Sequence, residues 1–558
     1  MKLFYRKTMT EHIKRDFLLA FCVLVVPFSV FGQGNQTNTG EAPLLRGEQL
    51  LLSGSYAAAS DVFQMADGLD RNDGLVGASK AFHMMGNFRE AMRVLEEAIE
   101  DNEYSRFPIL STQLAEVKRS VGQSREALFI LEEVVQGMDT PPVRTLVQYG
   151  SLLKFVGQKQ ASYQFLDQAV QQYNNGLVFS SEDVGMVALA SWLMDNFHDA
   201  NSLFNEAIRA NPNNLEAHVL WGDLFLEKYN ASDAERSYQE ALEINSRYTP
   251  ALVGIARVVG DERALQRALA INPNFVPALE TYGQLLMMNS REDEAQDYFD
   301  QVLALNSESL KTLSTLAAAA ALKEQSEEYE RYRARVEAFS PNNPQFLGDI
   351  ADAFGNNYLF EEAVEYARAA IEADPQYWQG YTLLGSNLIR LGVEEEGKAS
   401  LEIGFENDPF NVMTSNMLKV FDTLETYTTQ ESGHFKVHMS QNDAHILWPY
   451  LEPLLEESWD TLTAKYGFEP EGPILIEIFE NTEDFAVRSV GLPDIGPLVG
   501  ICFGKVITLI SPDTLSANWQ EIVWHEFMHV ITLQTVSYTH LRAHETEADL
   551  VCRLLLEK

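Results

Sequence analysis

The sequence predicts an α-solenoid of paired antiparallel helices, followed by a smaller α+β region. Three observations predict this order. A pattern of small and aromatic residues recurs with a period of 34 residues through most of the chain. After about residue 432 this pattern gives way to short segments typical of strands. The last segment with helical periodicity contains the residues HEFMH at positions 525–529.

The composition is that of a folded protein with more than one domain. A chain of 558 residues is too long for a single hydrophobic core. Its 46% hydrophobic and 22% charged residues are typical of an ordinary globular protein. The formal charge of −40 argues against nucleic acid and against anionic membrane surfaces as partners. A solvated acidic surface on many helices explains this charge more simply than an acidic docking site does.

Residues 1–32 are predicted to be a signal peptide, and residues 33–41 a linker. A basic start precedes an almost wholly apolar segment from Phe17 to Phe31, and the small residue Gly32 is compatible with cleavage. This segment of about 15 residues is shorter than the roughly 20 residues that span a bilayer. An uncleaved anchor is the alternative. We therefore expect an exported protein, periplasmic or extracellular, with no stable membrane span in its mature form.

The cysteine content predicts no disulfide framework. Three cysteines occur in the sequence, Cys22, Cys502 and Cys552. Cys502 lies in a segment typical of a strand, which favours a buried apolar residue over a reactive thiol.

Residues 42–410 are predicted to be a repeat array. Prolines 273, 341, 375 and 409 are separated by 68, 34 and 34 residues, which are multiples of one period. Small residues and large apolar residues recur in the same register, as in Gly47 and Phe63, Gly150 and Leu166, Gly222 and Tyr238, Gly283 and Phe299, and Gly385 and Leu401. In a pair of antiparallel helices, small residues allow close approach and aromatic or leucine residues fill the space between neighbouring units. Proline ends the second helix of the unit.

This pattern resembles the tetratricopeptide repeat family, in about eleven units. The unit near residues 242–275 is about seven residues short. The unit near 310–343 has Tyr329 and Arg333 where small and apolar residues are expected. The resemblance implies that the array binds a protein or peptide partner on its concave face. The alternative is that the array only holds the C-terminal region in place.

Residues 433–534 are predicted to form a small mixed sheet with helices, after a connecting helix or linker at 411–432. Alternating or β-branched segments predict strands at 434–439 and 473–479 and a hairpin of 499–503 with 505–510. Apolar residues at helical spacing predict helices at 442–466, 482–490 and 518–534.

The HEFMH segment has the spacing of a zinc site. His525 and His529 are four residues apart, so one helix face presents both imidazoles to a single ion. Imidazole nitrogens about 2.0–2.1 Å from the metal suit Zn²⁺. Glu526 lies to one side, where it would not ligate the metal but would take a proton from a metal-bound water. The alternative interpretation is two histidines at accidental spacing.

The strands, the hairpin and the segment WHEFMHVITLQ together resemble the gluzincin metallopeptidases, in particular the bacterial peptidase MA-like proteins with tetratricopeptide repeats. The resemblance covers about residues 430–534. It implies a zincin-like domain that cleaves peptide bonds, with Glu526 catalytic, His525 and His529 as zinc ligands, and a peptide or protein substrate along the 500–510 hairpin. A binding scaffold with an inactive peptidase-like domain is the alternative.

The chain departs from this family after the motif helix. The relatives supply a third zinc ligand, a glutamate on a later helix, and its surrounding pattern is missing here. Glu547 follows His529 by 18 residues, but spacing alone is weak support for a ligand. Residues 535–558 resemble translated adapter or vector sequence. We therefore expect that the chain is truncated and inactive as written, that this tail is not native, and that the parent protein is active.

Two further histidines are possible ligands on sequence alone. His434 and His438 are four residues apart on a predicted strand, so their side chains face the same side of the sheet. Their Cα atoms would be roughly 13 Å apart, which is too far for one metal. We therefore interpret both as surface or partly buried residues.

Overall fold

The computed structural model describes residues 43–99, 102–493, 496, 498–514 and 518–535. Within these residues the chain forms 26 α-helices and five β-strands. The predicted signal peptide, the linker at 33–41, the tail after residue 535, Glu547 and Cys552 lie outside the described residues. Across the described ranges, none of the helices has both the length and the apolar character needed to traverse a bilayer.

The first 22 helices form eleven antiparallel pairs, which we number as units 1–11. In each pair a short turn joins two helices that pack along each other. The pairs, in chain order, are α1 (Pro43–Leu52) and α2 (Tyr56–Phe63), α3 (Arg71–Met84) and α4 (Phe88–Glu96), α5 (Pro108–Ser120) and α6 (Ser124–Gln136), α7 (Val143–Phe155) and α8 (Lys159–Asn174), α9 (Ser181–Leu193) and α10 (Phe197–Ala210), α11 (Leu215–Glu227) and α12 (Ala231–Ile244), α13 (Thr249–Val259) and α14 (Glu262–Ile271), α15 (Val276–Met288) and α16 (Glu292–Leu305), α17 (Leu310–Leu322) and α18 (Ser326–Phe339), α19 (Pro344–Gly355) and α20 (Phe360–Ala373), and α21 (Trp378–Arg390) and α22 (Glu394–Asn407).

Contacts between glycine and a large apolar side chain set the spacing of the two helices in a unit. A Cβ atom added to Gly47 would lie 2.5 Å from the Phe63 ring, and one added to Gly283 would lie 2.5 Å from the Phe299 ring. Gly150 with Leu166, Gly222 with Tyr238 and Gly385 with Leu401 make the same contact in other units. The Tyr238 ring also packs on Gly254 of the following unit. The predicted roles of the small and large residues are therefore confirmed.

The two irregular units also form helix pairs. Unit 7 is short because α13 and α14 have 11 and 10 residues. In unit 9, Tyr329 packs at the edge of the apolar core, with its ring 6.4 Å from that of Tyr366. Arg333 is exposed and forms an ion pair with Glu330 at 2.7 Å. These two large side chains are tolerated because neither occupies the centre of the core.

The array is coiled so tightly that the turns inside early units contact loops about six units later. Asn245, after α12, donates from Nδ2 to the carbonyl of Leu51 in unit 1 at 3.3 Å. Asn272, after α14, donates in the same way to the carbonyl of His83 in unit 2 at 3.2 Å. The Ser124 amide at the start of α6 donates to the carboxylate of Glu308 at 3.1 Å. Consecutive coils of the solenoid are therefore in direct contact.

Glycine occupies the turn in units 1–4, where a later loop packs on it. Gly54, Gly86, Gly122 and Gly157 have positive φ angles, and a Cβ on Gly122 would lie 2.7 Å from Oδ1 of Asn306. Units 5, 6, 8, 9 and 10 have Asp195, Tyr229, Ser290, Glu324 and Tyr358 at the corresponding left-handed position. A side chain is thus accommodated in the left-handed region in several turns, including that of unit 6, where the amide of Val412 donates to the carbonyl of Lys228 at 3.2 Å. At Gly54, Gly86 and Gly122 an added Cβ would lie only 2.7, 2.2 and 2.7 Å from the later loop, which leaves no room for a side chain.

The C-terminal region is a five-stranded sheet with the strand order β1-β2-β3-β5-β4. Strands β2, β3 and β5 are parallel, and the two edge strands are antiparallel to their neighbours. The elements are α23 (Val412–Leu424), β1 (Thr428–Glu431), β2 (Phe435–Met439), α24 (Gln441–Tyr466), β3 (Ile474–Phe479), α25 (Thr482–Val490), β4 (Gly500–Cys502), β5 (Val506–Ile510) and α26 (Trp519–Thr535).

Strand β1 corrects the sequence interpretation, which placed only a connecting helix or linker at residues 411–432. The sheet begins at Thr428 and not near residue 433. Strand β1 has the polar sequence TTQE and no buried residue, so it lacks the apolar alternation that predicts a strand. The other strands and helices of this region form where the sequence predicts them.

The sheet is buried on both faces. Val437, Ile476 and Leu509 pack against α24 and α26 on one face. On the other face Phe479 packs with Phe485 of α25 and with Ile389 of unit 11. Leu475 and Val506 also pack on this face, against Phe360 of unit 10. The last units of the array therefore form part of the core that supports the sheet.

The contact between Gly283 and Phe299 predicts that adding one methyl group at residue 283 destabilises the fold. We expect Gly283→Ala to lower the free energy of unfolding by about 1–3 kcal/mol, because the new Cβ overlaps the Phe299 ring. Gly185→Ala is the matched control, since its nearest neighbour would be 3.6 Å away and alanine favours a helix by roughly 0.5–1 kcal/mol. Denaturant unfolding measures both. Equal effects of the two substitutions would show that the close approach does not determine stability.

The contact between coils predicts that asparagine is not tolerated at Gly122. Asparagine adopts the left-handed region, so in Gly122→Asn the main cost is the overlap with Asn306, about 1–3 kcal/mol. We expect a lower unfolding temperature and faster hydrogen exchange at the amides of Ser307 and Glu308. Gly176→Asn is the control, because Gly176 also has a positive φ but nothing within 4 Å of its added Cβ. Unchanged exchange in Gly122→Asn would contradict the contact.

Candidate metal centre

Helix α26 orients the HEFMH residues by burying its other face. Val523, Phe527, Val530 and Ile531 lie at helical spacing and are buried against the sheet and α24. His525 and His529 therefore share a different face, one turn apart. The predicted helix positions both histidines as the sequence indicates.

The two histidines are brought together in a geometry that a shared metal ion requires. Their Nε2 atoms are 3.1 Å apart, and their rings are inclined by 87° with centroids 4.7 Å apart. Two nitrogens bound to one tetrahedral zinc at about 2.0–2.1 Å are roughly 3.3 Å apart. The donor pair thus fits a zinc ion. A hydrogen bond between two neutral imidazoles has a similar length, so this distance alone does not distinguish the two interpretations.

The environment keeps both imidazoles neutral near neutral pH. Burial lowers the pKa of His525. Burial, together with the charge of His525, lowers the pKa of His529 to about 4. The neutral imidazole is the form that binds a metal ion.

Glu526 is buried beside the edge strand β4. It is 6% exposed, and a Cβ atom added to Gly500 would lie 2.8 Å from its Oε1 atom. The absence of a side chain at Gly500 therefore leaves room for this carboxylate. Burial raises the pKa of Glu526 to about 8. A cation bound nearby would lower that pKa, because it stabilises the carboxylate form.

The described residues supply two donors at the motif and not three. In these ranges, one group of three or more His, Cys, Asp or Glu residues has all its ligand atoms within 4.8 Å of one another, namely Glu394, His438 and Glu477. Neither motif histidine belongs to that group. Glu547, which the sequence offers as a doubtful third ligand, lies outside the described residues.

His434 and His438 have different neighbours. The His434 ring stacks on Trp459 at 4.0 Å, and its Nδ1 atom lies 2.7 Å from the carboxylate of Glu456. His438 lies with Glu394 and Glu477. The sequence analysis missed this second group because its members come from α22, β2 and β3. The available signal was a glutamate in the middle of the apolar strand ILIEIF.

Cys502 is buried, as the sequence predicts. It is 5% exposed and unpaired, and its Sγ atom accepts a hydrogen bond from the Gly504 amide at 3.3 Å. Burial raises the pKa of its thiol, so the thiolate needed for reactivity is disfavoured.

The first helices of the units carry charged side chains that are partly buried. Arg144 of α7 donates from Nη1 and Nη2 to Glu216 of α11, at 3.0 and 2.6 Å. This ion pair joins first helices that are two units apart. Burial lowers the pKa of Lys80 and raises that of Asp349, so charged groups on first helices are partly desolvated.

Comparisons with known proteins point to the array. A family model described as tetratricopeptide repeat matches residues 188–248, within units 5 and 6. The small glutamine-rich tetratricopeptide repeat-containing protein 2 of Mycosarcoma maydis is 30% identical over 86 residues, which cover 14% of this chain and 24% of that protein. The chain thus spans about a quarter of this relative. The crystal structure of yeast Tom70 is similar over 68% of this chain and 88% of that chain, at 16% identity and a TM-score of 0.31.

The fold places this chain among the helical-repeat solenoids. The family match lies within the array and the same glycine contact recurs along it, so the array contains repeats of the tetratricopeptide type. Proteins of this architecture present extended concave surfaces that bind other proteins.

The motif geometry predicts that zinc binding depends on both histidines. We expect His525→Gln and His529→Gln each to lose one equivalent of tightly bound zinc relative to the unchanged protein. Mutation of a residue that only hydrogen-bonds a metal ligand typically weakens metal binding by about 10–100-fold. Loss of a direct ligand should weaken zinc binding by more than this. His445→Gln, at an exposed histidine of α24, is the control and should retain all the zinc. Elemental analysis after dialysis measures the content, and identical zinc content in all variants would exclude the motif as a metal site.

Proposed function

We propose that this chain is an exported zinc-dependent peptidase in which the repeat array binds a protein or peptide. The observation that carries the proposal is the pair of imidazole nitrogens 3.1 Å apart, adjacent in sequence to a buried carboxylate. His525 and His529 would hold the ion, and Glu526 would act as the general base. The resemblance of residues 430–534 to gluzincin metallopeptidases agrees with these roles.

The chemistry divides between the ion and the protein. Zinc, when bound, lowers the pKa of a water ligand to about 7 and polarises a carbonyl group. Glu526 accepts a proton from water at its carboxylate and can deliver it to the departing amide nitrogen. A catalytic zinc site usually has three protein ligands, so a third donor must come from outside the described residues.

The edge strand β4 provides a place for an extended substrate. It pairs with β5 on one side and ends the sheet on the other. The backbone groups on its outer side can pair with a peptide by strand addition. Because the Glu526 carboxylate lies against Gly500, a peptide along this edge would pass close to the proposed base.

In this proposal the array binds the substrate and keeps it near the sheet. Unit 11 contacts the sheet through Ile389, and unit 10 does so through Phe360. A protein held on the concave side would therefore remain near the sheet, which raises its effective concentration at the motif.

A second candidate is a binding scaffold whose C-terminal region does not hydrolyse peptides. Two observations favour it: eleven helix pairs make up most of the described chain, and the described residues supply only two metal donors at the motif. The two candidates differ in one measurable property, which is peptide hydrolysis that depends on Glu526.

Hydrolysis of labelled casein by the purified protein tests the proposal. We expect zinc-dependent cleavage, and Glu526→Gln should reduce it by about 10²–10⁴-fold, the usual contribution of a general base. The variant should keep its zinc, because Glu526 is not a ligand. Glu521→Gln, on the same helix, serves as the control with full activity. Cleavage that persists in Glu526→Gln or in the presence of a zinc chelator would leave the scaffold as the better description.

A further inference from the structure

A group of ionisable side chains lies where the array meets the sheet. Glu394 begins helix α22 of unit 11, and His438 and Glu477 lie on β2 and β3. His438 and Glu477 are register partners, so their side chains point to the same face of the sheet. The ligand atoms of all three residues lie within 4.8 Å of one another. We call this group the junction cluster.

The junction cluster contains a fully buried carboxylate that is only partly paired. Glu477 is 0% exposed; its Oε2 atom pairs with Arg488, and its Oε1 atom is buried without a hydrogen-bond partner. The Oε1 atom of Glu394 is also buried without a partner. Two carboxylates cannot donate to each other, so their close approach requires a proton or a cation between them.

Arg488 carries one positive charge, which balances only part of the negative charge of the two carboxylates. Its Nε atom lies 2.7 Å from Oε2 of Glu477, and both side chains are fully buried. Its Nη2 atom donates to the carbonyl of Ile389 at 3.3 Å. Among the described residues Arg488 is the one cation that forms an ion pair with either carboxylate. Arg488 is therefore placed to orient the carboxylate of Glu477, as a residue that hydrogen-bonds a metal-binding carboxylate does.

We propose that the junction cluster is a second metal site, in which Glu394, His438 and Glu477 hold a divalent transition-metal ion such as zinc. A shared proton would satisfy the two carboxylates alone, whereas an ion would also use the His438 imidazole nitrogen, which lies within 4.8 Å of both. One imidazole and two carboxylates form a mixed nitrogen and oxygen donor set that suits zinc or manganese. Small side-chain rotations would bring the three donors to the roughly 3.3 Å separation of a tetrahedral site.

Such an ion would fasten the array to the sheet. One ligand comes from unit 11 and two come from the sheet, so metal binding stabilises only the docked arrangement. The site would have a structural role, and it is distinct from the motif on α26. It does not depend on the proposed peptidase function.

The test separates the two sites by removing the motif histidines. We expect the variant His525→Gln/His529→Gln of the full chain to retain one equivalent of zinc or manganese, each tested alone after metal stripping and dialysis. The same metal should raise its unfolding temperature. Adding Glu394→Gln or His438→Gln to this variant should abolish both effects. Glu395→Gln, at the exposed neighbouring residue, should leave both unchanged.

The outcomes for the two sites are distinguishable. Retention of one equivalent by His438→Gln alone would show that the motif still binds metal when the junction cluster does not. If His525→Gln/His529→Gln is folded by circular dichroism but binds neither zinc nor manganese, the junction proposal is overturned, and a shared proton holds the carboxylates. Loss of metal from Glu395→Gln to the same extent as from Glu394→Gln would also overturn it.

Discussion

The close approach of two helices at a glycine is the constraint on which the rest of the structure depends. A large apolar side chain from the second helix sits directly on the backbone of the first, as Phe299 does on Gly283. The Tyr238 ring also touches Gly254 of the next unit, so one residue fixes both the geometry within a unit and the rotation between units. Repetition of that rotation produces a coil tight enough for its successive turns to touch.

The contacts between coils explain a feature that the repeat pattern alone does not. The turns of units 1–3 have glycine where a later loop packs tightly on them, whereas several other turns have larger residues in the same left-handed conformation. Asn245 and Asn272 then use their side-chain amides to bind backbone carbonyls from units nearly 200 residues earlier in the chain. These contacts add long-range pairings to a chain of local ones, so each coil of the array packs directly on the next.

The sequence predicted the local features of this protein well, because those features depend on residues close together in the chain. The period of 34 residues specified the helix pairs, and the spacing of His525 and His529 specified their shared helix face. Strand β1 was not predicted, since a polar edge strand forms only because β2 offers it hydrogen-bonding groups. The cluster of Glu394, His438 and Glu477 was not predicted either, because its residues come from distant segments of the chain. The contacts between coils were not predicted, because the repeat period alone does not indicate them.

The two candidate metal sites belong to opposite sides of the same sheet. Along β3, Ile476 and Ile478 face α24 and α26, whereas Glu477 between them faces the array. An apolar layer of side chains therefore separates the junction cluster from the motif helix. This arrangement keeps the ligand atoms of the junction cluster and those of the motif on separate faces, so neither group can share an ion with the other. The attachment of the binding array and the chemistry proposed for the motif are thus separable, although a single sheet supports both.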